Sequence, residues 1–302
     1  MTELPAAPAR RRIYDVPWFL LMLPPLFWSG NFVLGRAVVG EVPPIALAFW
    51  RWAGGALIVL PFAWPHLRRD LPALRRQWRL VVLLSAIGIA VFNTFVYIGL
   101  NTTTALNAVM MQSAMPVLIV LMSFLLIGER ITPLQALGVA VSLAGAVTLI
   151  ARGDLGVVTT LAFNTGDLWV LAAVISYAGY TALVRRRPPA HPMTFLLATF
   201  ALGALMLLPF YVLEGLNGRP LTLTPVSAAS IGYVAIFPSI VAYLAWNRSV
   251  ELVGANRTGL SVHLMPVFGS LLAIGFLGEQ PQLFHAFGIA LIAAGILLGS
   301  RR

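Results

Sequence analysis

The sequence of this chain contains one motif twice, 150 residues apart. Met-Pro-Val begins at Met115 and again at Met265, and Gly-Glu stands thirteen residues after each methionine. When residues 101–150 are aligned with residues 251–300, twelve of the fifty positions are identical. A fixed internal period of this kind is typical of a chain built from two copies of one structural unit. We therefore predict two homologous halves.

Long apolar runs leave room for little except membrane-spanning helices. Hydrophobic residues make up 59% of the chain, charged residues make up 10%, and the mean hydropathy is +0.89. A transmembrane helix needs about 20 apolar residues to cross roughly 30 Å of hydrocarbon. Ten runs satisfy this condition: 17–38, 44–64, 79–100, 103–127, 133–151, 167–184, 193–213, 226–249, 254–277 and 281–300. The sequence thus predicts an all-α integral membrane protein with ten transmembrane helices.

The positions of the arginines indicate how the chain crosses the membrane. All 20 Lys+Arg residues are arginine, and with a cytoplasmic N-terminus sixteen of them fall on one side. Only Arg36, Arg51, Arg152 and Arg219 fall on or near the other side. This is the positive-inside distribution. It predicts a multi-pass protein of the bacterial inner (plasma) membrane with both termini in the cytoplasm, and it argues against nucleic acid as a partner.

Five spans in each half are an odd number, so the second half must cross the membrane in the opposite direction to the first. Inverted repeats are a recurrent plan of transporters, with the substrate near the midplane between the halves. We predict a cytoplasmic tail at 1–16, a first five-helix repeat at 17–152, a linker at 153–166 and a second repeat at 167–300. The two repeats are expected to surround a central cavity.

The front of each half also repeats. Phe-Trp-Ser-Gly-Asn at 27–31 aligns with Ser-Tyr-Ala-Gly-Tyr at 176–180. Together with a proline-containing helix that ends in Gly-Glu and a glycine-spaced last helix in each half, this pattern resembles the EamA-type family of the drug/metabolite transporter superfamily. Within that family the chain is most similar to the aromatic amino-acid exporters. The resemblance covers residues 17–300, and it implies ten helices, a central cavity and the movement of small metabolites, often amino acids.

Polar and aromatic residues that recur in both halves are the candidates for the substrate site, because polar side chains within a membrane should face the protein interior. These candidates are Trp28, Asn31, Asn93, Tyr97, Ser113, Tyr177, Tyr180, Tyr243, Asn247 and His263. Aromatic faces can cover an apolar side chain or attract an ammonium group, and amides and hydroxyls can pair with the charged ends of a zwitterion. The set predicts an amino acid with an aromatic or apolar side chain as substrate. Packing and helix–helix hydrogen bonds are the alternative roles, and for His263 such a bond is the preferred interpretation.

Two prolines and the acidic residues bear on the mechanism. Pro116 and Pro266 each remove a backbone donor in mid-helix and promote a kink; we predict a pair of hinges, with static kinks as the alternative. Glu129 and Glu279 stand at span ends, where a structural role is expected. The middle of each predicted span is free of Asp and Glu. Proton-driven pumps usually keep an ionisable relay in the membrane, so alternating access by facilitated movement is favoured over proton coupling.

Other classes of function fit the sequence less well. The chain contains no HExxH pair, no Gly-x-Ser-x-Gly turn and no aspartate cluster, which are the equipment of several enzyme classes. We predict no enzymatic activity, no cofactor and no metal; an intramembrane enzyme is the alternative from a different class. Carriers of nucleotide-sugars or phosphate esters are the runner-up, and they would need cations within the membrane, for which Arg51 and Arg36 are the candidates. The expected partners are a small-molecule substrate and the lipid bilayer, without an obligatory protein partner.

Overall fold

The structure is a computed structural model that describes residues 16–103, 105–154, 156, 164–277, 280 and 282–300. Over these residues the chain is helical and contains no strands. Nine of the described helices are long and apolar enough to cross a membrane, and a tenth span, near residues 255–277, is divided by a 3-10 turn. The all-α membrane fold is confirmed. The predicted tail, most of the predicted linker and the second Gly-Glu pair, with Glu279, lie outside the described residues.

The spans, in chain order, are α1 Pro17–Ala37, α2 Pro44–Arg76, α3 Trp78–Thr102, α4a Ala105–Ser113, α4b Met115–Ile127, α5 Pro133–Ile150, α6 Thr165–Val184, α7 Pro192–Leu216, α8 Pro225–Val253, α9a Ala255–Leu260, α9b Leu264–Leu277 and α10 Leu283–Ser300. The first half comprises α1 to α5 and the second comprises α6 to α10. Because consecutive spans run in opposite directions, the bundle has two ends. The arginine-rich end contains residues 66–79, 128–132, 185–191 and 248–257. The arginine-poor end contains residues 38–43, 101–103, 151–154 and 217–224.

The second span is longer than the sequence predicts. An end at residue 64 is wrong, because α2 continues to Arg76 and holds Pro61, Pro65 and Pro72 inside the helix. Prolines are tolerated in transmembrane helices when local adjustments and neighbouring groups satisfy the freed carbonyls. A helix of 33 residues is about 50 Å long, so its arginine-rich last turns extend beyond the apolar layer.

The two halves share their irregularities. A π-helical turn interrupts α3 at Ala86–Val91 and interrupts α8 at Ile236–Val241, at positions 150 residues apart. The fourth span breaks at Ala114, and the ninth breaks at the 3-10 turn Ser261–His263. The predicted hinge Pro116 is the second residue of α4b, where a helix needs no N–H donor. The duplication therefore extends to the local backbone geometry.

Helices of one half pack mainly against helices of the other half. α1 lies against α8 and α3 lies against α6, which is the same contact made twice; α2 packs on α7 and α5 packs on α10. The glycines of α5 and α10 explain that last contact, since a Cβ on Gly138 would lie 2.6 Å from the Gly295 carbonyl oxygen. α1, α3, α6 and α8 consequently enclose the centre of the bundle, where the halves meet.

Candidate functional site

A hydrogen-bonded group of three side chains joins α1, α2 and α3. Tyr97 Oη donates to Asn31 Oδ1 at 2.7 Å, and Arg51 Nη1 donates to Asn31 Oδ1 and to Tyr97 Oη, both at 2.9 Å. Arg51 Nη2 donates to the carbonyl oxygen of Pro238 in the π-helical turn of α8, also at 2.9 Å. All three side chains are buried. This triad ties three helices of the first half to one helix of the second.

The second half repeats the amide–hydroxyl pair of this triad. Tyr180 Oη on α6 donates to Asn247 Oδ1 on α8 at 2.8 Å. In the alignment of the halves Tyr180 corresponds to Asn31 and Asn247 corresponds to Tyr97, so the two residue types have exchanged places. The structure thus brings four of the predicted site residues together in two equivalent pairs.

An aromatic cluster fills the space between the halves. It consists of Trp28, Tyr177, Tyr180, Tyr243 and Trp246, each at most 4% exposed. The Trp28 ring centroid lies 5.4 Å from that of Tyr177, 6.3 Å from that of Tyr243 and 5.0 Å from that of Trp246. Ring separations of this size are typical of favourable aromatic contacts. Four of the predicted site residues therefore belong to one cluster formed by α1, α6 and α8.

Each π-helical turn presents a carbonyl oxygen to an aromatic side chain of the opposite half. Tyr243 Oη donates to the Gly88 carbonyl at 2.5 Å, and Trp28 Nε1 donates to the Pro238 carbonyl at 3.0 Å. Gly88 and Pro238 are 150 residues apart and equivalent in the repeat. A Cβ on Gly88 would lie 2.1 Å from the Tyr180 ring, so this turn needs a glycine. Each π-helical turn therefore accepts a hydrogen bond from the opposite half.

Ser113 and His263 lie where the fourth and ninth spans break, and they contact each other. His263 Nε2 donates to the Ser113 carbonyl at 3.0 Å, because a carbonyl can only accept, and Nδ1 shares a 2.7 Å hydrogen bond with Ser142 Oγ of α5. Both ring nitrogens of this buried histidine thus have protein partners, as the helix–helix interpretation expects. Asn93, the remaining candidate, is buried one turn before Tyr97 on α3.

Sequence reasoning left two residues out of the site set. The sequence suggests Arg51 only as a cation for phosphate esters, although a charged residue inside an apolar run is a signal for a role in the site. Trp246 lies one turn after Tyr243, but its counterpart in the first half is Val96, so a search for residues that recur in both halves rejects it. Trp246 Nε1 donates to Thr181 Oγ1 at 3.2 Å.

A cavity at the arginine-poor end lies close to the triad. Its volume is about 340 Å³, and it is lined by Gly40, Glu41, Val42, Pro43, Pro44, Asn101, Gly218, Arg219, Pro220 and Thr222. Asn101 Nδ2 donates to the Tyr97 carbonyl at 2.8 Å, so the cavity is one helical turn from the triad. Its volume falls within the range of about 300–1,000 Å³ that small-molecule sites occupy.

Polar contacts join the halves at the arginine-rich end. Glu129, at the end of α4b, lies 3.5 Å from Arg185 Nη1 and accepts from Asn256 Nδ2 at 3.3 Å. Asp70 Oδ2 of α2 accepts from the His191 backbone N–H at 2.8 Å. Burial, and then the His66 ring stacked 3.8 Å away, hold the pKa of His191 below its usual value.

Comparison with known proteins agrees with this architecture. The model of the EamA-like transporter family matches residues 17–151 and again residues 164–301. The chain is similar to the uncharacterized transporter YyaM of Bacillus subtilis (strain 168), with 27% identity over 282 residues that cover 91% of this chain and 90% of that protein. It is also similar to a probable terminal-alkyne amino-acid exporter of Streptantibioticus cattleyicolor, with 27% identity over 238 residues that cover 78% and 74% of the two chains.

A solved crystal structure shows the same fold. It aligns with this chain at a TM-score of 0.71 and 24% sequence identity, over 93% of this chain and 95% of the other.

Proposed function

The chain belongs to the EamA-like transporter family and is a membrane transporter of small metabolites; on that premise we propose that it exports amino acids with aromatic or apolar side chains. The family and the named relatives are transporters, which rules out the alternative of an intramembrane enzyme. The substrate is a small molecule and the surroundings are lipid. A protein partner is not required by this proposal.

The observation that supports the substrate class is the aromatic cluster between the halves. Its rings come from α1, α6 and α8, and the two amide–hydroxyl pairs border it. Aromatic faces cover an apolar or aromatic side chain and attract an ammonium group. A zwitterion with an apolar body matches this combination. The name of the Streptantibioticus relative, a probable amino-acid exporter, agrees with the proposal.

We infer alternating access from the shared irregularities of the two halves. Each half contains a π-helical turn and a broken span at equivalent positions, so two arrangements related by the internal repeat have similar energies. Pro116 and Pro266 are the proposed hinges, and the aromatic cluster is the region around which the halves rock. The arginine-rich end is assigned to the cytoplasm of the bacterial inner membrane, with both termini on that side.

The buried acids support downhill movement without proton coupling. Among the described residues, Asp70, Asp167 and Glu214 are buried, and each stands within the first or last two turns of a helix. Their carboxylates accept backbone N–H groups: Asp167 from Asn164 at 2.8 Å and Glu214 from Ala46 at 2.7 Å. These carboxylates stabilise helix ends, which is a different task from relaying protons across the midplane.

Counterflow in liposomes tests the proposal. Purified protein in vesicles preloaded with an unlabelled amino acid should accumulate labelled phenylalanine or leucine, and accumulation should be the same with and without a pH gradient. A labelled nucleotide-sugar should not exchange. Exchange of the nucleotide-sugar alone would contradict the substrate class, and uptake that needs the pH gradient would contradict downhill movement.

A further inference from the structure

We propose that Arg51 binds the carboxylate group of the substrate, and that this contact restricts transport to carboxylates with an apolar body. The inference rests on the proposed function, because it assumes that the substrate occupies the aromatic cluster.

The charge of Arg51 has no counter-charge in the described part of the chain. The side chain is 1% exposed, and its three hydrogen-bond acceptors are neutral oxygens of Asn31, Tyr97 and Pro238. The ion pairs of the described residues involve other arginines. Burying a charge without an opposite charge is strongly unfavourable, and ionisable residues within membranes commonly line substrate pathways. An anionic ligand would supply the missing charge.

Unpaired hydrogen-bond donors around this charge indicate the same kind of ligand. Among the described residues, Arg51 Nε and the neighbouring Trp52 Nε1 are buried and have no hydrogen-bond partner. Both are N–H groups that can only donate. A carboxylate has two oxygens with about four acceptor positions, whereas an ammonium group would add further donors. The excess of unpaired N–H donors therefore suits an anion.

The position of Arg51 relates the anion to the aromatic cluster. Its guanidinium carbon lies 4.7 Å from the centroid of the Trp52 ring, and that ring lies 5.4 Å from the ring of Tyr243. A carboxylate held at Arg51 would thus place an attached apolar group against the cluster. The cavity at the arginine-poor end is one helical turn from Tyr97, which contacts Arg51.

A single guanidinium matches a carboxylate better than a phosphate monoester. A carboxylate has one negative charge, which one arginine balances, and the two groups can form parallel hydrogen bonds. A phosphate monoester has a charge of about −1.5 to −2 at neutral pH. It would leave unbalanced negative charge beside buried tyrosines.

Competition in the counterflow assay tests the inference with four analogues of phenylalanine. These are 3-phenylpropionate, which lacks the amine; phenethylamine and phenylalaninamide, which lack the carboxylate; and phenyl phosphate. In the wild-type protein 3-phenylpropionate should compete at least about tenfold better than either amine or the phosphate, the ratio expected when a charge-assisted hydrogen bond of about 1.5 kcal/mol or more is lost. Equal competition by phenethylamine, or stronger competition by phenyl phosphate, would overturn the proposal.

Variants separate recognition from folding. Arg51→Lys keeps the charge and should keep the preference for carboxylates with weaker competition. Arg51→Gln should abolish the preference, and Arg68→Gln, which removes an exposed arginine, is the matched control and should leave it unchanged. If Arg51→Gln does not give a monodisperse protein, the competition measured with Arg51→Lys tests the proposal instead. A preference that persists in a folded Arg51→Gln protein would show that Arg51 only ties helices together.

A binding measurement distinguishes failure of this inference from failure of the proposed function. If no amino acid exchanges, the proposed function fails. The same four analogues are then added to detergent-solubilised protein, and the midpoint of thermal unfolding is recorded. Stabilisation by 3-phenylpropionate in the wild type, lost in Arg51→Gln, would support an anion site, and equal shifts by the amine would reject it.

Discussion

The hydroxyl of Tyr243, on α8 of the second half, donates a 2.5 Å hydrogen bond to the carbonyl oxygen of Gly88, in the π-helical turn of the first half. The equivalent carbonyl of the second half, that of Pro238, accepts from Trp28 of the first. A π-helical turn leaves carbonyl groups outside the regular helical pattern, and such turns are frequent at functional sites. In this protein they are where the two halves are joined beside the aromatic cluster.

Removing the hydroxyl of Tyr243 tests this link between the halves. Tyr243→Phe keeps the ring and deletes the hydrogen bond, which in a membrane protein is worth about 1 kcal/mol. The balance between the two access states should then shift by about fivefold, with little change in unfolding temperature. Labelling of a single cysteine at position 101, in the cavity of the arginine-poor end, measures the shift. Tyr211→Phe, in a partly buried contact between α2 and α7, is a suitable control.

Truncating Trp28 should reduce transport, and Trp28→Phe separates that effect from the loss of packing. This ring contacts three members of the aromatic cluster, and each such contact contributes about 0.5–1.5 kcal/mol. Trp28→Ala should therefore lower the rate of phenylalanine counterflow about tenfold or more, whereas Trp28→Phe should retain part of it. Trp64→Ala, at a side chain 69% exposed, should leave counterflow unchanged. Equal counterflow in all three variants would show that Trp28 is not part of the substrate site.

Replacing the paired prolines tests the hinge hypothesis. Pro116 and Pro266 lie in the first turns of α4b and α9b, so Pro116→Ala and Pro266→Ala add an N–H group that can bond to a carbonyl before each break. Each change should therefore straighten its span and favour one access state. The chain contains no cysteine, and single cysteines at positions 101 and 184 can report access at the two ends. We expect the ratio of their labelling rates to change several-fold. Pro209→Ala, inside α7, is the control, and an unchanged ratio in the first two variants would favour static kinks.

Acid should weaken the contact between α2 and α7 at the arginine-rich end. Because the pKa of His191 is below its usual value of about 6.5, the unfolded chain binds this proton more readily than the folded chain does. Stability is then complete above about pH 6.5 and falls as the pH drops below it. The midpoint of thermal unfolding should be lower at pH 5 than at pH 8. His191→Asn retains a capping side chain and should flatten that dependence; an identical pH profile would exclude His191 as the cause.

The pairing of Asn31 with Tyr97 and of Tyr180 with Asn247 shows how much of the candidate site the internal repeat predicts. Equivalent positions in two homologous halves are placed in equivalent surroundings, so a search for polar residues in both copies finds both pairs. The same search cannot find Trp246, because its counterpart is the apolar Val96. It also gives no role to Arg51, whose contacts come from three other helices.

The sequence by itself determined the helical membrane class, the number of spans and their inversion. Apolar length fixes these properties, because in a bilayer each span must satisfy its own backbone hydrogen bonds, and an odd number of spans reverses the second half. Only the tertiary structure decided that α2 extends to Arg76, that π-helical turns join the halves, and that Arg51 is buried with no counter-charge among the described residues. These features depend on which side chains meet across helices distant in the chain, and the period of a single helix contains no information about its neighbours.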